Sequence, residues 1–458
     1  MFHRIRFVCA SAALSLFVSM PVSATTLQEA LALAYQTNPS LAAARAGLRA
    51  QDEGVAQAVA GLRPTLGLSM GISSSASITS FNEETDRYTA SLQSSLLLFD
   101  GGRTQDAISS AENTVWAAQA DLQSNEQGLL LQAAIAYLDV RRDQQFLSLA
   151  MNNVNLIEQQ VLATENRFDV GAVTSTDVAL ARARLAAAQT SLAANSGGLA
   201  LSKEIYRAII GAEPINLASP PQLPGLPSSL AEAESVAMRE HPAIIAARYN
   251  ERAAEFDLMR ARKVRIPTVS LGASIDYSNT SITNTESTTA GISLNGQMPI
   301  YQGGALSSAM RQAAQILATR KATTQDTMRA VRQATASAWA NIRVARASIV
   351  AARLQIEANE VAYRGIEEEL RLGARTTLDL LDAEQELLTA KSNLASAQRD
   401  EYVAGLNLLA SMGLLTVENL SLGIPAYDPN VNFNQVRRAP TTNFAGGGVL
   451  DAISDRWE

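Results

Sequence analysis

Nucleophilic and metal-binding side chains are nearly missing from this sequence, which has one cysteine and two histidines in 458 residues. Cys9 lies in an amino-terminal stretch, MFHRIRFVCASAALSLFVSMPVSA. There Arg4 and Arg6 precede an apolar run from Phe7 to Val18, and Val22-Ser23-Ala24 follows it. This order predicts an export signal over residues 1–24. The run is too short for a permanent membrane-spanning helix, and the flanks Phe7-Val8 and Ala10 are not a lipoprotein cleavage box. Removing 1–24 leaves no thiol and a single histidine, His241. Disulfides, thiolate chemistry, His-pair metal sites and Ser-His-Asp catalysis are therefore excluded or nearly so. No Gly-x-x-x-x-Gly-Lys loop occurs, so phosphate-cradling chemistry has no motif either. No enzyme activity, cofactor or metal is expected. Losing Arg4 and Arg6 lowers the basic count from 37 to 35 against 44 acids, about −9 net. That balance argues against a nucleic-acid partner.

Proline is absent over two long intervals, from Pro64 to Pro214 and from Pro299 to Pro425. Both are rich in Ala, Leu, Gln, Glu and Arg, which favour helix. Ala133, Val140, Leu147, Val154, Val161 and Phe168 recur every seven residues, as do Ile342, Ile349, Ile356, Tyr363 and Leu370. Leu381, Leu388, Ala395, Tyr402 and Leu409 continue the pattern. Sustained heptads predict helices packed side by side along their length. The helix expected from Arg103 to Phe168 would be roughly 100 Å long at 1.5 Å per residue.

The chain is also written twice. RFDVGAVTSTDV is answered by RLGARTTLDLLDA, with Gly171 matching Gly373, and LLLFDGGRT by MPIYQGGAL, both at a spacing of 202. Leu27-Gln28-Glu29-Ala30 matches Leu230-Ala231-Glu232-Ala233, and Arg63-Pro64-Thr65 matches Ile266-Pro267-Thr268, both at a spacing of 203. The predicted organisation is a first repeat over 25–213, with a hairpin at 64–100 and long helices at 103–168 and 174–211. A Pro-rich linker at 214–228 carries Pro214, Pro220, Pro221, Pro224 and Pro227. The second repeat spans 229–413, with a hairpin at 267–302 and helices at 304–371 and 376–412. The tail, 414–458, has no period and is expected to be irregular, wrapping the outside or staying disordered.

Within the hairpin segments the hydrophobic period is two. Leu66, Leu68, Met70 and Ile72 alternate with Gly67, Ser69, Gly71 and Ser73. Val269, Leu271, Ala273, Ile275 and Tyr277 alternate with Ser270, Gly272, Ser274 and Asp276. The partners run from Ala90 to Leu98 and from Ala290 to Ile300. Each strand is expected to be about ten residues long, enough to cross an outer membrane when tilted. Four strands cannot close a barrel, and eight give an interior filled by side chains. The faces opposite the apolar rows are too small to fill it, whereas three copies give twelve strands and a lumen. A soluble sandwich with a Ser-rich face is the bland alternative.

With these motifs in place, the chain resembles the TolC-like outer membrane factor family across roughly Thr26 to Gly413. The resemblance implies an α+β membrane protein: a homotrimeric duct with a twelve-stranded barrel in outer-membrane lipid and a twelve-helix periplasmic tunnel. It also implies docking, through a periplasmic adaptor, onto an inner-membrane transporter that is ATP-driven (ABC) or proton-driven. The cargo would be protein (type I secretion) or small molecules (efflux). A periplasmic adaptor built on one coiled-coil hairpin is the alternative reading. Such adaptors lack four membrane-length strands in two copies. A surface enzyme on a coiled-coil stalk is a second alternative, disfavoured by the missing catalytic residue types.

Thr174-x-x-Asp177 and Thr376-x-x-Asp379 have capping-box spacing. Asp379 and Asp382, three apart, share a helix face, and Asp382 and Arg375 match Leu180 and Val173. The resemblance makes Asp379 and Asp382 the periplasmic entrance, a carboxylate ring that favours cations; a solvated helix face is the alternative reading of Asp382. It makes Arg375, Thr176 and Asp177 a latch that holds the tunnel closed. A tyrosine found in the family stands where this chain has Leu370, so its hydrogen bond to Asp177 cannot form. Trp116 and Trp339 are expected to be packing residues.

Overall fold

The structure is a computed structural model that describes residues 24–76, 84–223, 225–281 and 285–437. The expected export signal, Ala24 apart, lies outside the described residues, as do Pro224, Pro440 and Gly446 to Gly448. The two halves use the same elements in the same order. In the first, helices α1 (Leu27–Thr37) and α2 (Pro39–Ala60) lead to strands β1 (Thr65–Ala76) and β2 (Glu84–Phe99), followed by α3 (Arg103–Asp169) and α4 (Ser175–Ile210). In the second, α5 (Leu230–Glu240) and α6 (Pro242–Lys263) lead to β3 (Thr268–Thr280) and β4 (Thr285–Gln297), then α7 (Ala305–Arg371) and α8 (Thr377–Ser411).

Local chemistry sets these boundaries. Pro39 and Pro242 open α2 and α6 at the first helical position, where a missing N–H costs nothing. Gly102 and Gly304, at φ +80° and +87°, turn the chain from sheet into the long helices. α3 and α7 are each 67 residues, about 100 Å of helix. Among the described residues no helix is long and apolar enough to cross a membrane.

All four strands form one antiparallel sheet in the order β1-β2-β3-β4, joined between the repeats by β2 and β3. Its register collects the apolar rows on one face. Leu68 pairs with Leu92, Leu92 with Ile275, and Ile275 with Ala290; Leu96, Leu271 and Leu294 form a second row. The other face carries Ser69, Ser91, Asp276 and Thr289 in register, and Ser91 and Ser274 donate to the Asp276 carboxylate. β1 and β4 pair on one side only, so both are edges.

The strands are 12 to 16 residues long, longer than the expected ten. β2 is the longest at 16 residues and, like β3, has a ladder partner on both sides. β4 stops at Gln297, short of the expected Ile300. The last pair is Thr268 with Gln297, and Pro267 and Pro299 beyond it have no N–H to donate.

The central core joins both repeats. Leu130, Tyr137, Tyr206, Ile210, Ile244, Leu406 and Leu408 are all at most 1 % exposed. The Tyr137 hydroxyl lies 2.7 Å from the Ala218 carbonyl and 2.9 Å from that of Thr25, clamping the linker to the start of α1. Beyond this core α3 runs beside α4 and α7 beside α8, and α3 also contacts α8.

The tail corrects one expectation. A ninth helix, α9 (Asn430–Arg437), forms within the segment read as irregular. Phe433 packs with Val55 of α2 and Val115 of α3, Asn432 donates to Asp52 at 2.5 Å, and Arg437 pairs with Glu112 at 3.3 Å. Eight residues are too few to show a period, and this helix is held by tertiary packing.

Candidate functional site

Each long helix pair reverses at a Gly turn, at the end remote from the sheet. Gly171 and Gly373 sit at φ +75° and +77°, where any side chain would be strained. The Ala172 and Ala374 amides each donate back to a carbonyl in the preceding helix, Arg167 and Glu369, at 2.8 Å. Thr174 and Thr376 then open α4 and α8 with reciprocal boxes: the Asp177 and Asp379 carboxylates accept from the Thr backbone and hydroxyl at 2.8 to 2.9 Å. The backbone N–H of each Thr, then its hydroxyl, holds both carboxyls below their usual range. For Asp379 the Arg375 charge adds to this.

Of the expected latch residues, Thr176 is an exposed residue in the first turn of α4, and Asp177 serves the cap. Arg375 pairs with Glu369 of the same turn at 2.8 Å, and that carboxylate raises the guanidinium's pKa. Within one chain Arg375 and Asp177 are not brought together. Asp382 is exposed but not alone. Its Oδ1 accepts from Arg184 of α4 at 2.5 Å, across 198 residues of sequence.

Arg184 was missed by sequence reasoning, and so was Glu384. Glu384 of α8 is 6 % exposed, with neither carboxylate oxygen hydrogen-bonded, and burial pushes its pKa up to about 7. The internal repeat carried the signal for both. Glu384 matches Arg182, which pairs with Glu165 at 2.6 Å, and Glu165 matches Glu367. An acid–base pair in the first repeat thus becomes two acids in the second. Both lie near Tyr363, whose hydroxyl pKa is raised by burial and then by Glu367 and Glu384.

Beneath the rim, Val154, Ile157 and Val161 of α3, Ala181 and Ala188 of α4, and Leu381 of α8 form an apolar seam. Around the turns Val170 and Leu372 are each 78 % exposed. The arrangement can present fixed negative charge at the tip of a long helical assembly. It offers no nucleophile with a base.

The sequence matches the family described as outer membrane efflux protein over residues 30–212 and 235–414. It is 34 % identical over 415 residues to the outer membrane efflux protein BepC of Brucella suis, covering 90 % of each chain. It is 27 % identical to the outer membrane protein TolC of Escherichia coli, covering 92 % of this chain and 88 % of that one. The fold superposes on the Campylobacter jejuni CmeC outer membrane channel with a TM-score of 0.75 at 15 % identity, covering 95 % and 98 % of the two chains. The chain belongs to the outer membrane efflux protein family, has the TolC-like fold, and resides in the outer membrane with its long helices in the periplasm.

Proposed function

We propose that three copies of this chain close into a passive exit duct that spans the outer membrane and leads out of the periplasm. One observation carries the reading: a four-stranded sheet with one apolar face and two unpaired edges, continuous with helices about 100 Å long. Open edges are intolerable in lipid, so β4 of one copy must pair with β1 of the next. Twelve strands then place the Ser, Thr and Asp276 face on a lumen wide enough to hold water. The helical part has a matching unpartnered stripe. Val350, Leu354 and Val361 of α7 share a face and are each about 60 % exposed, which suits a neighbouring copy.

In this reading Asp379 and Asp382 form the entrance ring, and Arg375 with Thr176 and Asp177 of a neighbouring copy closes the latch. Leu370, which cannot donate a hydrogen bond, leaves that latch to Arg375 and packing. The tips meet a periplasmic adaptor, and an inner-membrane transporter supplies the energy. The cargo is small molecules or secreted protein: relatives named for efflux (BepC) and for alkaline protease secretion (AprF of Pseudomonas aeruginosa) both match the chain.

Single-channel recording in a planar bilayer tests the entrance. The wild type should give small, cation-selective steps blocked by divalent cations, and Asp379→Ala/Asp382→Ala should lose that block. Steps with unchanged block in the double variant would put the entrance elsewhere.

A further inference from the structure

We propose that Arg184 is a specificity-determining counter-charge of the entrance: it neutralises Asp382 and closes α8 onto α4 within each protomer. The inference rests on reading the two Gly turns as the duct's entrance.

Three observations carry it. The Arg184–Asp382 contact is an ion pair between α4 and α8, from different repeats. It stands over the apolar seam in which Ala181, three residues before Arg184, and Leu381, next to Asp382, are buried together. That seam fixes the two helices side by side, so the pair does not have to hold them alone. The third observation is the charge inversion between repeats. Arg182 and Arg184 of α4 match Glu384 and Glu386 of α8, and Asp382 matches Leu180. Two identical helix ends of either sign would repel. A basic end facing an acidic one attracts and fixes which helix meets which.

The consequence concerns the fixed charge of the aperture. With Asp382 neutralised, a trimer presents only the three Asp379 carboxylates, each near the charge of Arg375, and not six free ones. Moving α8 away from α4 breaks the pair and uncovers three more carboxylates. The three Arg184 guanidiniums are released with them, so opening separates these charges without changing their sum. Both partners are about half exposed, at 44 % and 54 %, so the pair is open to water and salt weakens it.

Two measurements test this independently. The mature sequence has no cysteine, so Arg184→Cys/Asp382→Cys in the full-length channel can be treated with a short bismaleimide. A cross-linked species at monomer mass is expected on denaturing gels. A ladder of dimers and trimers, or no cross-link, overturns the pairing, and this readout needs no current. In bilayers under a salt gradient, Arg184→Gln should shift the reversal potential towards the cation value. The swap Arg184→Glu/Asp382→Arg should return it to that of the wild type. An unchanged reversal potential in Arg184→Gln overturns the neutralising role. A wild type that carries no current, with the internal cross-link present, would instead count against the duct reading.

Discussion

Glu384 shows how much one side chain can cost. A glutamate in the unfolded chain titrates near 4.5, and here burial raises that to about 7. Below the unfolded value both states are protonated and the residue costs nothing. As pH rises the unfolded chain ionises first, so stability falls up to about pH 7 and stays low above it. Glu384→Gln should therefore raise the stability of the α7–α8 pair at pH 8, by roughly 3 kcal/mol per protomer at most, with no gain at pH 4. Thermal unfolding followed by circular dichroism at the two pH values checks this, and an equal gain at both would refute it. Gly373 is a second residue-scale case. At φ +77° with open space around it, Gly373→Ala adds strain without a clash, about 1–2 kcal/mol. Faster proteolysis at the turn, with an unchanged sheet, is the expected result.

At the scale of elements, legibility followed from locality. The Gly-Gly starts, the Gly turns and the Thr-x-x-Asp caps could be read because each needs only its own neighbours in sequence. Gly102 and Gly304 need positive φ, and Thr376 and Asp379 need only to stand three positions apart. The apolar rows of β1 and β3 could be read because period two is written in every second residue. What escaped depends on distant partners. Arg184 meets Asp382 across 198 residues, and Glu384 looks like any surface acid on a helix until α7 covers it. Helix α9 is defined by Phe433 sitting between α2 and α3, which no local pattern announces. The strap it forms is predicted to release separately. Phe433→Ala removes a side chain that is 7 % exposed, a change that costs about 3–5 kcal/mol in a core. Hydrogen exchange should rise over 425–437 and stay unchanged in the central core around Tyr137. Protection lost throughout would mean that the tail holds the whole fold.

For the whole molecule, the single chain is visibly incomplete. Its sheet ends in two open edges, Ile292 and Leu294 of β4 are 82 % and 67 % exposed, and α7 presents an uncovered apolar stripe. The apolar sheet face fits outer-membrane lipid, and in the proposed trimer the open edges and the α7 stripe each meet a neighbouring copy. Duplication supplies the economy: each half gives one hairpin and one helix pair, so three chains provide six of each. At the tips the halves keep the Gly turn and the Thr-x-x-Asp cap but differ in charge, with Asp382, Arg375 and Glu384 in place of Leu180, Val173 and Arg182. Trimeric closure is therefore the central requirement of the duct. Native mass spectrometry of the mature chain extracted from outer membranes in mild detergent tests it most directly. A single species of three copies is the predicted result, and a monomer or dimer as the stable form would contradict it.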